Sequence, residues 1–255
     1  MSDRVAETYE SLWGGLMFVM HDIDYLWQVN KGRADWVESL GLGAGLRVLD
    51  LGCGNGILDI ALARRGHTVI GVDRVASVID AARRAVTSEP VEFIASDLRD
   101  VDFPAGRFDL VMMFGLVGLM SITDDRSLLR RSRRWLSDEG RLLVDGDLEL
   151  AEEESSQSEH PDGVIHWHWT SDPVTRTNHL QPELHRPDGT IIELRDPIDP
   201  ARGDHPGLVR YIYQPGDLIQ LVEETGFTVR QIGHFLEHVF PDQEPDRFTL
   251  LGEPA

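Results

Sequence analysis

Val48-Leu49-Asp50-Leu51-Gly52-Cys53-Gly54-Asn55-Gly56 is the stretch on which the reading of this chain turns. An apolar run suited to a buried strand gives way to glycines at every second position, and Ile57–Arg65 then has a helical pattern that Gly66 is placed to stop. The glycines let the chain turn sharply and let a ligand approach the backbone. The helix start that follows offers unpaired amide donors and a partial positive charge. Such a loop suits a nucleotide-like ligand, but two familiar spacings fail. The dinucleotide pattern needs a third glycine where Ile57 stands, counted from Gly52, or where Asp59 stands, counted from Gly54. The Gly-Lys-Ser/Thr of a phosphate loop is absent.

Outward from the loop, residues 46–147 alternate short apolar runs with helical patterns. Strands are predicted at Arg47–Leu51, Thr68–Val72, Val91–Ile94, Phe108–Phe114 and Arg141–Val144, with further helices at Ser77–Val86 and Asp125–Leu136. Near-continuous apolar strands alternating with helices imply a parallel sheet covered on both faces. The rhythm breaks at 148. Glu149–Gly163 is polar and acidic and reads as an exposed loop. Strand-like segments follow at Val164–Thr170, Thr175–His185, Thr190–Asp196 and Leu208–Tyr213, the middle pair joined by the turn Arg186-Pro187-Asp188-Gly189. A helix at Asp217–Thr225 and strands at Phe227–Ile232 and Arg247–Leu251 resume the alternation. Before 46, Trp13, Leu16, Met17 and Met20 have helical spacing.

With these segments in order, the chain resembles the class I S-adenosylmethionine-dependent methyltransferases, small-molecule branch. Asp50-x-Gly52-x-Gly54-x-Gly56 is similar to their first motif, and Asp73, in Gly71-Val72-Asp73, stands where an acid accepts from both ribose hydroxyls. Ser96-Asp97-Leu98 resembles the adenine-contacting segment. Phe108-Asp109-Leu110-Val111 resembles the fourth strand, whose end at Phe114 and Gly115 lines the floor near the reactive methyl. Leu136–Asp145 is similar to the family's turn and fifth strand, with Ser-Asp-Glu-Gly in the turn. The resemblance implies S-adenosyl-L-methionine as cofactor, held by Asp50, Gly52, Cys53, Gly54, Gly56, Asp73, Arg74, Asp97, Leu98, Phe114 and Gly115. Lys31 or Arg33 would meet the cofactor's carboxylate, and Tyr9 would cap the pocket. The implied fold is an α/β three-layer sandwich with a seven-stranded, mostly parallel sheet whose last strand is antiparallel. The core takes 46–147 and 211–255, a helical lid takes 1–45, and an inserted antiparallel β cap takes 148–210.

The remaining composition narrows the partners. A formal charge of −20 repels phosphate backbones and anionic lipid heads, so nucleic acid and membrane are not expected partners. Arg130, Arg131, Arg133 and Arg134 read as the solvated side of a helix. One cysteine excludes an intramolecular disulfide, and no apolar run has membrane-spanning length or the form of an export signal, so a cytoplasmic monomer or homodimer is expected. The acceptor is expected to be a small molecule, methylated on nitrogen or oxygen with nitrogen preferred. His21, Asp147 and His168 are the candidates for a general base. His166-x-His168 places two imidazoles on one strand face, Trp167 and Trp169 on the other, and no third ligand accompanies them, so no metal is expected. Two other readings use the same loop: a non-methylating rearrangement or cyclisation, and a cofactor-binding protein without turnover.

Overall fold

In the computed structural model the described residues are 4–8, 23–147, 150, 152–160, 162–195, 208–233 and 247–255. Strand β1 (Arg4–Thr8) and helix α1 (Ile23–Ser39) come first. The alternating part follows: β2 (Arg47–Leu51), α2 (Ile57–Ala63), β3 (Thr68–Asp73), α3 (Ala76–Ala85), β4 (Val91–Ala95), β5 (Phe108–Met113), α4 (Ile122–Trp135) and β6 (Leu136–Asp147). Five strands, β7 (Glu154–His160), β8 (Gly163–Asp172), β9 (Thr177–His185), β10 (Ile191–Arg195) and β11 (Leu208–Tyr211), precede α5 (Pro215–Glu223), β12 (Phe227–Ile232) and β13 (Arg247–Pro254).

The first sheet has seven strands in the order β12-β13-β6-β5-β2-β3-β4. Strands β2 to β6 are parallel, and β13 runs antiparallel to both β6 and β12. Alternation along the strands sorts the core into two layers. Leu49, Leu51, Val111 and Met113 pack with Leu128 and Leu129 of α4 and Leu218 and Val222 of α5. Val48, Leu110 and Met112 face the other way, against Ala34 and Val37 of α1 and Leu58 and Leu62 of α2. Ile79 and Ala82 extend that second layer to α3. Helix α4 shows the local logic. Ser121 caps it by accepting from the Asp124 amide at 3.1 Å, Asp124 and Asp125 sit in the first turn, and Arg133 and Arg134 in the last. Its arginines are less uniformly solvated than their spacing suggests. Arg131 donates to the carbonyls of Leu98 and Val101, both at 2.7 Å, and Arg133 to that of Gly226 at 3.1 Å.

The second sheet runs β1-β10-β9-β8-β7, with β11 also paired to β9. The turn at Arg186–Gly189 joins β9 to β10, with Gly189 at φ +88° and Arg186 N donating to Thr190 O at 2.9 Å. Two expectations change here. The acidic stretch expected as a loop contains β7, an edge strand paired antiparallel with β8 from Glu154–Trp169 to His160–Gly163. An edge strand draws on main-chain pairing along one side, so Ser155, Ser156 and Gln157 need no apolar face. The segment 1–45 is not helical throughout: β1 lies parallel to β10 and completes the second sheet. Trp13, Leu16, Met17 and Met20 lie outside the described residues. The cap's apolar face, with Ile165, Trp167, Leu180, Leu184 and Ile192, packs on Val75 and Val78 at the start of α3.

Candidate cofactor and acceptor site

The loop after β2 is closed by its own backbone and by one acid. Gly52, Gly54 and Gly56 have φ of +79°, +53° and +69°. The amides of Gly52 and Cys53 donate to Val72 O at 2.8 and 3.0 Å, which holds the loop to the end of β3. Asp73 accepts from Gly54 N at 3.0 Å and from Val75 N at 2.9 Å. It therefore fixes both the glycine loop and the turn into α3, and burial raises its pKa despite those two donors. Gly56 has a packing reason beyond its φ. A Cβ there would collide with the ring of Phe93, which lies beneath the loop, and one at Gly71 would meet Cys53 Sγ and the same ring at 2.9 Å.

Beside the loop, the buried side chains alternate in charge. Arg33 reaches inward from α1, its guanidinium 5.3 Å from the centre of the Phe114 ring. Burial lowers its pKa to about 10, while the charges of Asp145 and Asp50 hold it up, so it is a cation at neutral pH. Asp50 is buried, and burial pushes its carboxyl up to about 7. Arg33 pulls it down; Asp73 and Asp145 push it further up. Asp145 accepts from Gly115 N at 2.6 Å and meets Arg247 at 3.3 Å. Asp147 lies between Arg210 Nη1 at 2.9 Å and Arg247 Nε at 3.3 Å. Arg210 also donates to the Gly115 carbonyl, so cap strand β11 is fastened to the floor at the end of β5. Alongside, Tyr211 N donates to Gly118 O at 2.8 Å, and a Cβ on Gly118 would collide with the Tyr211 carbonyl.

These positions divide the sequence candidates. Asp50, Gly52, Cys53, Gly54, Gly56 and Asp73 come together around the loop, and Phe114 and Gly115 form the neighbouring floor beside Arg33. Lys31 turns to the surface and pairs with Asp35 at 2.9 Å, which leaves Arg33 as the inward cation. Asp97 follows β4 as expected, but its carboxylate is bound by Arg99, with Nη2 to Oδ2 at 2.6 Å, and this partner lowers its pKa. Leu98 is buried beside it, and Arg74 is close enough to act on both Asp73 and Asp97. Asp147 does not stand free as a base, because two guanidinium groups occupy it. His168 is placed away from the site. Trp167 takes the face that packs on Val75 and Val78, so His168 points to the opposite face, where its Nδ1 is 3.0 Å from Ser155 Oγ. His166 shares that outer face and is 4.0 Å, centre to centre, from the His185 ring. No three-ligand metal cluster occurs among the described residues. Tyr9 and His21 lie outside the described residues. Arg210 and Arg247 were not singled out from sequence, although an arginine inside an apolar strand segment is a signal that it has a buried partner.

The groups present fit a cofactor with a ribose, a carboxylate and positive charge. Arg33 is a cation beside the loop, of the sign that complements a carboxylate, an acid at the strand end can accept from a diol, and Asp50 offers a carboxyl to an ammonium.

Residues 48–140 match the family described as Methyltransferase domain. The chain is 30% identical over 123 residues to a ubiquinone biosynthesis O-methyltransferase of Pseudomonas aeruginosa, a match covering 47% of this chain and 52% of that one. It thus spans about half the length of the curated relatives it matches. Among solved structures it is similar to the CcbJ methyltransferase of Streptomyces caelestis, with a TM-score of 0.68 at 19% identity and 89% of each chain covered. It is also similar to the sugar N-methyltransferase KedS8 of a Streptoalloteichus species, with a TM-score of 0.65 at 16% identity, covering 100% of this chain and 96% of that one.

Proposed function

We propose that the chain is a class I S-adenosylmethionine-dependent methyltransferase that transfers a methyl group to a nitrogen or oxygen of a small-molecule acceptor, a reading supported by the match of residues 48–140 to the family described as Methyltransferase domain. The observation that carries this reading is the enclosure of Arg33, Asp50 and Asp73 around one glycine loop, next to the floor at Phe114 and Gly115. When bound, S-adenosylmethionine supplies an electrophilic methyl on a sulfonium. The protein's part is to bind, orient and exclude water. Arg33 receives the carboxylate of the cofactor's tail, and Asp73 receives the ribose hydroxyls. Leu98 supplies an apolar wall on the adenine side, next to Asp97. Gly115, tied to Asp145 and Arg210, fixes the floor against which the acceptor is held.

A small acceptor is supported by the cap. It packs on the core at Val75 and Val78, two to five residues from Asp73, and is fastened at Gly115 and Gly118, so it bears on the carboxyl ends of both β3 and β5. The charge of −20 is unfavourable for a nucleic-acid acceptor. Nitrogen is preferred because an amine held neutral needs no base. Of the sequence candidates, Asp147 is engaged by two arginines and His168 faces outward.

The test is formation of S-adenosylhomocysteine from S-adenosylmethionine across a panel of amino sugars, small amines and phenols. Amine-dependent product formation is expected. Cofactor binding with consumption of acceptor but no S-adenosylhomocysteine would overturn methyl transfer, and turnover of phenols alone would overturn the preference for nitrogen.

A further inference from the structure

The segment after β5, Gly115-Leu116-Val117-Gly118, is held at both ends by partners from other elements. Gly115 and Gly118 have φ of +64° and +85°. At Gly115, N donates to Asp145 of β6 at 2.6 Å and the carbonyl accepts from Arg210 of β11. At Gly118, N donates to Asp125 Oδ2 of α4 at 3.0 Å and the carbonyl accepts from Tyr211 N at 2.8 Å. The same Asp125 oxygen accepts from Tyr213 Oη at 2.9 Å. Both ends of the segment are thus tied to residues 210–213. Helix α4 has its cap without Asp125, since Ser121 and Asp124 bond each other at its start. Asp125 instead turns its carboxylate inward and is 2% exposed. A buried carboxylate met by two donors is costly to disturb and keeps those donors in place. Between the two clasps, Leu116 is buried and lies over the glycine loop: a Cβ on Gly52 would meet its Cδ1 at 3.2 Å. The segment therefore touches the glycine loop on one side and cap strand β11 on the other.

We propose, resting on the reading of this site as one for S-adenosylmethionine and a small acceptor, that Asp125 and Arg210 are positioning residues for methyl transfer. By holding Gly118 and Gly115 they set segment 115–118 between the cap and the glycine loop, and so fix how acceptor and donor methyl stand relative to each other. Both act through the backbone of the segment, not on the reacting atoms. In-line displacement tolerates little misplacement, and a shift of about 1 Å can cost about a hundredfold in rate. The proposed partners of the cofactor's carboxylate and ribose, Arg33 and Asp73, lie outside the segment. Loss of either clasp is therefore expected to lower kcat more than it weakens cofactor binding.

The experiment compares the full wild-type chain with Arg210→Met, Asp125→Ala and Asp125→Asn. It measures hydrogen exchange of peptides spanning 115–118, calorimetric titration with S-adenosylmethionine, and kcat and KM with the acceptor giving most S-adenosylhomocysteine. In Arg210→Met and Asp125→Ala, exchange over 115–118 is expected to rise and kcat to fall, each by at least about tenfold, with S-adenosylmethionine affinity changed by less than about threefold. Asp125→Asn keeps an oxygen that can accept from Gly118 N and Tyr213, so it is expected to retain most of kcat. Should Asp125→Ala fail to fold, Arg210→Met and Tyr213→Phe decide, the latter removing one of the two donors with the same direction expected. Unchanged exchange or unchanged kcat in these variants overturns the inference, as does a loss of affinity as large as the loss of kcat. An Asp125→Asn as impaired as Asp125→Ala also overturns it. Absence of S-adenosylhomocysteine with every acceptor, in a wild type whose segment is protected and loses protection in the variants, overturns the functional reading but not the clasps.

Discussion

Lys31 and Arg33 are two residues apart on α1 and end on different sides of it, because each residue turns the helix by about 100°. From sequence both are basic groups at a suitable distance before β2. Only burial separates them, since Ala34 and Val37 set the inward face and Arg33 lies beside it. Arg33→Met is expected to weaken S-adenosylmethionine binding by roughly tenfold to a hundredfold, the worth of a charge-assisted hydrogen bond, while Lys31→Met leaves it unchanged. Calorimetry on both variants checks this, and equal losses would contradict the assignment. Asp50 gives a pH dependence at the same scale. Its folded pKa, about 7, lies above the unfolded value of about 3.9, so the folded state holds more protons in that interval. Its contribution to stability therefore falls as pH rises from about 4 to about 7 and is flat above. Asp97 and Asp109, lowered by Arg99 and Arg47, act in the opposite sense and mainly at lower pH. Denaturant unfolding of the ligand-free protein is expected to show lower stability at about pH 8 than at about pH 6, with the loss reduced in Asp50→Asn. A wild-type stability that rises across that interval contradicts the assignment.

Legibility at the scale of elements followed periodicity. The parallel strands β2, β3 and β5 are buried on both faces along most of their length, so their apolar runs announce them, and Gly66 and Gly226 mark where helical turns end. Strand β6 is longer than its apolar centre, because Leu136–Gly140 joins it through an irregular register with β5 between Phe108 and Leu110. β7 and β1 gave no such signal. β7 is a polar edge strand whose pairing comes from the main chain of β8, and β1 is a five-residue strand whose partner, β10, lies far along the sequence. The alternation in β8 predicted two unlike faces without saying which met the core. The structure assigns the inward face to Ile165 and Trp167. Trp167→Ala is therefore expected to destabilise the fold by about 3–5 kcal/mol, the usual cost of deleting a buried large aromatic. His168→Ala should change stability by less than about 0.5 kcal/mol and leave kcat unaltered. Denaturant unfolding with steady-state kinetics distinguishes these outcomes, and a large kcat loss in His168→Ala would restore it as a catalytic residue.

At the scale of the whole molecule, two sheets share the work unequally. The seven-stranded sheet carries the proposed cofactor side, whose loop, strand ends and acids are local to 46–98 and so were legible together in the sequence. The proposed acceptor side draws on β5, β6, β11 and β13, residues up to 132 positions apart (115 and 247), so spacing alone could not show that Arg210 and Arg247 converge on Gly115 and Asp147. None of the described helices is long and apolar enough to cross a membrane. The central claim is that the loop and Asp73 form an S-adenosylmethionine site. Its most direct test is calorimetric titration of S-adenosylmethionine into the wild type and Asp73→Ala at one pH. The account predicts saturable one-to-one binding in the wild type and affinity at least about tenfold weaker in the variant, from the loss of charged hydrogen bonds to the ribose. No binding by the wild type, or equal affinity in the two proteins, would contradict it.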